Sequence, residues 1–218
     1  MKRYFSEMLG TFFLVFAGCG AIVINQINPG SVGSVGIALT FGFVVMAMIY
    51  SVGDISGAHF NPAVSFGFWL ARRLSLSETI RYIFSQTLGA TLAATLLKIL
   101  FPMSITLGNT VPAVGFLSQA FILEIVMTAL LMFVILSVST GAKEKGMMAG
   151  LAIGVTVALE ALFGGPISGA SMNPARSLAP ALLSLHFEFL WIYLTAPFLG
   201  SCLAVFACRA CQQEGCCS

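Results

Sequence analysis

Ser56-Gly57-Ala58-His59-Phe60-Asn61-Pro62-Ala63-Val64-Ser65 and Ser168-Gly169-Ala170-Ser171-Met172-Asn173-Pro174-Ala175-Arg176-Ser177 are two copies of one pattern, identical at seven of ten positions and offset by 112 residues. Asn61 and Asn173 are favoured N-caps. Pro62 and Pro174 suit a first helical turn, where their missing N–H would have had no intrahelical partner. Each copy therefore predicts a loop that ends in a helix start. The apolar runs that follow, 62–72 and 174–184, hold about ten residues each. At 1.5 Å per residue they are too short to cross a hydrocarbon core of roughly 30 Å, and they are expected to be half-helices.

The chain around them is hydrophobic at 58% of its 218 positions and charged at only 8%, against about 25% charged in ordinary globular proteins. No soluble surface can be built from that. Between Glu7 and Asp54 there is no charged residue. One span needs roughly 20 apolar residues, so this stretch holds two, separated by the turn Asn25-Gln26-Ile27-Asn28-Pro29-Gly30. The run after Lys2 and Arg3 lacks the small-residue cleavage site of a signal peptide and is read as a retained first helix. Full spans are expected near 4–24, 33–53, 82–101, 116–139, 147–164 and 188–208, giving an all-α membrane protein with six transmembrane helices and two re-entrant half-helices.

Charge sets the expected orientation. Lys2 and Arg3, then Arg72, Arg73 and Arg81, then Lys143 and Lys145, then Arg209 fall at the N-terminus, the loop after span two, the loop after span four and the C-terminal end. The opposite connections, 25–32 and 103–115, carry no Lys or Arg. The positive-inside rule makes the first set cytoplasmic, with both termini there. The plasma (inner) membrane is the expected location.

Glu7, in Glu-Met-Leu-Gly-Thr, and Glu124, in Glu-Ile-Val-Met-Thr, precede the two copies at similar distances. Each half then has three spans and one half-helix. An odd number of spans makes the second half insert upside down relative to the first, an inverted repeat of about 1–110 and 111–210 within a single channel domain, 1–218. The half-helices must enter from opposite faces. Non-helical backbone at membrane depth is tolerated where protein buries it or a water-filled cavity hydrates it, so two inward-dipping loops imply a pore. With both half-helix N-termini meeting near the midplane, their partial positive ends oppose cations while the Asn61 and Asn173 amides offer donors to a neutral hydroxylic solute.

These residues resemble the aquaporin (major intrinsic protein) family from about Glu7 to Gly200, on both Asn-Pro-Ala boxes, the paired glutamates and Asn-Pro-Ala-Arg-Ser. The resemblance implies one pore per subunit, a homotetramer, and a narrower selectivity filter at Phe41, Ala161, Ala170 and Arg176. A guanidinium in hydrocarbon is costly unless it lines water, which fits Arg176. Water-selective members usually carry His where Ala161 stands, and glycerol facilitators pair a bulky aromatic with a small residue, so this filter implies a wider opening. Ser177 and Ala181 instead look like the water channels. Residues 164–177 look most like the nodulin-like intrinsic proteins, whose members pass water, glycerol or neutral metalloid acids. The expected function is a passive channel for water and small uncharged solutes that excludes protons and ions. The alternative is a facilitator of glycerol or of neutral arsenite, silicic or boric acids, with water as a minor substrate.

Other features weigh against rival classes. Ten Lys and Arg scattered without a basic face point away from nucleic acid, leaving the bilayer and small neutral solutes as partners. A secondary transporter should cluster acids for coupling ions, and Glu160 has no evident cluster. No His-Glu-x-x-His or similar spacing supports an enzyme, and no cofactor or metal is expected. Glu7 and Glu124 are read as scaffold carboxylates that bond loop amides, and Glu160 as a partner to the second loop's backbone. His59 is read as a pore-lining hydrogen-bonding residue. Asp54 could pair with Lys143 or Lys145. Cys208, Cys211, Cys216 and Cys217 crowd the end of the chain, and 209–218 is read as a cytoplasmic Cys-rich tail of reduced thiols, too tightly spaced for a usual zinc site.

Overall fold

The computed structural model describes residues 1–139 and 143–211, the side chains of 143–146 excepted. Lys143, Lys145, Cys216 and Cys217 thus fall outside the described side chains, and with them the suggested Asp54 pairing. The described residues form eight helices: α1 (Lys2–Ile27), α2 (Gly33–Ser56), α3 (Pro62–Leu70), α4 (Leu76–Leu100), α5 (Leu117–Val138), α6 (Lys143–Ser168), α7 (Pro174–Ser184) and α8 (Leu190–Cys211). Six are long and apolar enough to cross a membrane. The short ones, α3 and α7, begin at the prolines of the two boxes.

Local chemistry explains the ends. The Asn61 side chain accepts a hydrogen bond from the Ala63 amide, and the Asn173 side chain accepts from the amides of Ala175 and Arg176. Each cap satisfies donors that a helix start leaves open. Helix α2 stops at Gly57, whose φ of +85° is left-handed and suits glycine. Helix α4 begins at Leu76 rather than 82, because the Ser75 side chain caps the Glu78 amide. Arg81 consequently lies inside α4, not in the loop assigned from the sequence. There it reaches the Tyr4 hydroxyl at 3.1 Å. The last span runs through Cys208 to Cys211, so the start of the expected tail is helical.

Packing repeats between the halves. Helix α1 packs on α2 and α4 as α5 packs on α6 and α8, and α2 packs on α6. Glycines set the close approaches: a Cβ at Gly89 would lie 2.1 Å from the Met8 carbonyl oxygen, and one at Gly200 2.4 Å from that of Ile125. A Cβ at Gly42 would lie 2.4 Å from the Gly154 oxygen, and one at Gly154 2.7 Å from the Gly42 oxygen. Small residues at such crossings let helix backbones approach, the chief source of helix association where lipid is as apolar as leucine.

Contacts between helix ends gather Arg73, Arg81 and Arg209 at one end of the bundle, while Lys98 stands at the other. Arg81 and Glu78 of α4 meet Tyr4 of α1. Arg73 donates to Ser139 Oγ at 2.9 Å, and Arg209 to the Leu70 carbonyl at 3.2 Å. Lys98 caps the end of α7 through the Leu183 carbonyl at 2.7 Å.

Substituting Gly89→Val inserts a branched side chain against the α1 backbone, and overpacking of this kind costs about 1–3 kcal/mol. The expected outcome is a lower thermal midpoint in detergent and loss of the monodisperse peak on size exclusion. A wild-type melting profile would show that the α1–α4 approach is dispensable.

Candidate functional site

Two loops, 57–61 and 169–173, carry open backbone into the centre of the protein. Both start with a left-handed glycine and then place Ala58 and Phe60, or Ala170 and Met172, in the left-handed region at φ between 41 and 53°. Such non-glycine conformations cost about 1–3 kcal/mol each and persist where their surroundings over-determine them.

Buried carboxylates supply that determination. Glu7 accepts from Ser56 Oγ at 2.7 Å, the His59 amide at 3.0 Å, the Phe60 amide at 2.8 Å and Gln86 Nε2 at 2.8 Å. Glu124 accepts from Ser168 Oγ at 2.8 Å and the amides of Ser171 at 2.9 Å and Met172 at 2.7 Å. Tyr82 and Tyr193 donate to the carbonyls of Ser56 and Ser168, closing each loop at its start. The scaffold role expected of both glutamates matches these contacts.

The loops also hold each other. Asn61 Nδ2 donates to the Met172 carbonyl at 2.7 Å, and Asn173 Nδ2 donates to the Phe60 carbonyl at 2.9 Å. Each side-chain oxygen caps its own half-helix, so each asparagine spends its acceptor and one amide hydrogen on structure. One N–H per asparagine is left to face the cavity.

That cavity leaves about 50 Å³ for the centres of water molecules and is lined by Asn61, Asn173, His59, Phe41, Ala161, Ala170 and Arg176, with Leu14, Val45, Val64, Leu131, Ile135, Ile153 and Val157 as its apolar wall. The four residues expected in the filter thus border one space together with both asparagines. Pro62, Ala63, Pro174 and Ala175 are buried and do not line it; they are the first turns of α3 and α7. His59 lines the cavity, stacks on Phe68 with ring centroids 4.4 Å apart, and shares a hydrogen bond with Ser65 Oγ through Nδ1.

Arg176 is 1% exposed. Its Nη1 donates to the Gly108 carbonyl at 2.9 Å, and its guanidinium lies over the Phe41 ring, 5.2 Å from the centroid. Its Nε has no hydrogen-bond partner among the described residues. A buried cation fixed at one end with an unused N–H suits a path that carries oxygen-bearing solutes.

Several residues have a supporting role that the sequence did not assign them. Gln86 and Ser65 complete the shell of the first loop, and Thr110 and Ser177 that of the second, where Thr110 Oγ1 donates to Ser177 Oγ at 2.8 Å. Gln86, an amide inside an apolar span, was the legible signal; Gly108 and Thr110 lie in a connection without regular structure and had none. Glu160 departs from its expected role: it is fully buried, yet neither oxygen bonds the second loop, whose amides turn to Glu124. It follows Leu159 and precedes Ala161 on α6 but does not line the cavity.

The family model described as major intrinsic protein matches residues 1–208. Among curated proteins, the chain is 45% identical over 214 residues to the protein named aquaporin NIP1-1 of Oryza sativa subsp. japonica, covering 95% of this chain and 73% of that one. It is 44% identical over 207 residues to nodulin-26 of Glycine max, covering 92% and 74%. Among solved structures, the aquaglyceroporin from Plasmodium falciparum superimposes with a TM-score of 0.83 at 26% identity, over 94% of this chain and 93% of that chain.

Replacing Glu124 with Ala strands two buried loop amides and one hydroxyl, and each unsatisfied group costs about 1–3 kcal/mol. Glu124→Ala is expected to lower the thermal midpoint in detergent well below that of Glu124→Gln, whose amide oxygen still accepts. Equal midpoints for the two variants would remove the carboxylate clamp as the anchor of the loop.

Proposed function

This chain belongs to the major intrinsic protein family, and from that premise we propose that solutes cross it through the cavity bordered by Asn61, Asn173, Phe41, Ala161, Ala170 and Arg176. The protein is a multi-pass membrane channel for water and small neutral solutes and not an enzyme. The observation that carries the proposed path is that both capped half-helix starts and the Arg176 guanidinium border one narrow space whose remaining lining is mostly apolar.

In this reading Asn61 and Asn173 form the central barrier to cations. The N-termini of α3 and α7 bring partial positive charge to the point where the loops cross, and each asparagine turns one N–H toward the lumen. A water or polyol oxygen accepts from these donors in turn, while a cation meets positive ends and finds no anionic ligand. Arg176 adds a full positive charge and further donors at the filter. The apolar wall offers few competing bonds, so a solute holds only the polar stripe and leaves readily.

A second reading, favoured by the small side chains of Ala161 and Ala170 in the same lining as Phe41 and Arg176, is facilitation of glycerol or of a neutral metalloid acid such as arsenite, silicic or boric acid, with water as a minor substrate. An aromatic wall accepts the C–H side of a polyol while Arg176 takes its hydroxyls.

The proposed unit is one channel domain of two inverted halves, about 1–110 and 111–210, with 209–218 as a cytoplasmic tail. The sharing of Arg73, Arg81 and Arg209 among neighbouring helix ends supports a cytoplasmic face at that end, and six spans return both termini to it. The plasma (inner) membrane and a homotetramer with one pore per subunit complete the proposal, on the strength of the family likeness.

Stopped-flow light scattering on proteoliposomes tests the path. Wild type is expected to shrink and reswell with a non-saturating flux of water and glycerol and no dependence on an ion gradient; saturable, ion-coupled uptake would overturn it. Asn173→Asp places a carboxylate at the half-helix end, and a cation leak raised roughly tenfold, equal to about 1.4 kcal/mol off the barrier, is expected. An unchanged leak would remove the asparagine pair as the barrier.

A further inference from the structure

One turn of α1 stands behind both walls of the proposed filter. The Phe41 ring lies against Gly18 with its edge: a Cβ built on Gly18 would fall 2.2 Å from Cε1, 2.4 Å from Cζ and 2.5 Å from Cδ1 of that ring. Real Cβ contacts do not come so close, so the ring occupies the space that any other residue at position 18 would fill. The next residue, Cys19, backs the other wall. A Cβ on Gly108 would lie 2.9 Å from the Cα, Cβ and carbonyl oxygen of Cys19, so the Gly108 backbone rests directly on α1. The carbonyl of that same glycine holds Arg176 Nη1 at 2.9 Å.

Phe41 is thus fixed at its edge by α1 and on its face by the Arg176 guanidinium, and the open volume it borders is the cavity. A phenyl ring has two torsions and no way to shorten. Pushed from the Gly18 side, it is displaced toward the cavity that it lines, and the short side chains of Ala161 and Ala170 in the same lining leave room to receive it.

We propose that Gly18 is a specificity-setting residue: by taking the Phe41 ring into the surface of α1 it holds the filter open to solutes wider than water. It does not touch the solute and acts as a positioning residue for Phe41, while Cys19 and Gly108 do the same for Arg176. The proposal rests on the reading of Phe41, Ala161, Ala170 and Arg176 as the filter.

The test measures water and glycerol permeability of proteoliposomes containing wild type, Gly18→Ala, Phe41→Leu and the double variant. Gly18→Ala is expected to lower the glycerol-to-water ratio roughly tenfold while water still passes, as about 1.4 kcal/mol added to the glycerol barrier does. Phe41→Leu is expected to raise the ratio, and the double variant to recover it, because the shorter side chain no longer meets the new methyl. A Gly18→Ala ratio equal to wild type, alongside a shifted ratio in Phe41→Leu, overturns the role of Gly18 and leaves the filter reading intact. No change in either variant, or no glycerol flux in wild type, overturns the filter reading and the proposal with it. If Gly18→Ala does not fold, the double variant decides: restored folding and glycerol flux support the Gly18–Phe41 seat, and loss of both overturns it.

Discussion

Two stretches of non-helical backbone lie at membrane depth, where lipid offers no hydrogen bonds, and the structure depends on satisfying them from within. Glu7 and Glu124 do this with acid side chains fully buried in apolar helices. A carboxylate is an expensive group to bury, but it has four lone-pair sites on two rigid oxygens and can gather several donors at one point. The cost of burial is offset because each donor it takes, such as the amides of Phe60 and Met172, would otherwise be stranded. Once the loops are held, the caps at Asn61 and Asn173 and the starts of α3 and α7 follow from ordinary helix chemistry.

The halves share the carboxylate and differ in its neighbours, and the differences reach the cavity lining at His59 and Val64 in one half and Ser171 and Arg176 in the other. Around the first loop, Gln86 bonds both Glu7 and Ser65, and Ser65 meets the His59 ring. Around the second, Ser171, Ser177 and Thr110 form a chain of hydroxyls, and Arg176 replaces the valine that stands at position 64. The first loop therefore presents an imidazole backed by Phe68, while the second presents a guanidinium anchored on Gly108. Shared carboxylates keep the two loops in register; unshared neighbours make the two ends of the path chemically unlike.

Much of this was legible before any coordinates. The lengths of the apolar runs separated six spans from two half-helices, since 1.5 Å per residue allows no other assignment, and the duplicated Ser-Gly-Ala and Asn-Pro-Ala placed the loops. Boundaries were less legible. The onset of α4 was set six residues late because Leu76 to Arg81 is polar enough to resemble a loop, while Ser75 and Glu78 were the cap signal that outweighed it. Glu160 showed the limit of reading polarity alone: an acid in a span calls for a partner, but only packing determines which of two acids on neighbouring helices reaches the loop. Arg176 was recognisable from its charge, whereas the Gly108 carbonyl that holds it comes from a backbone turn with no side chain to announce it.

The same division separates what a channel admits in kind from what it admits in size. The groups proposed to exclude charge are written in the sequence: two amides, two helix starts and one guanidinium. In the proposed filter, width depends on where the Phe41 ring rests, and that ring occupies the space a side chain at Gly18 on another helix would fill. Residue types at four lining positions do not by themselves fix an opening, because the position of the Phe41 ring also depends on the surface of α1 behind it. In a core packed as densely as an organic crystal, a change behind a lining residue is felt by that residue.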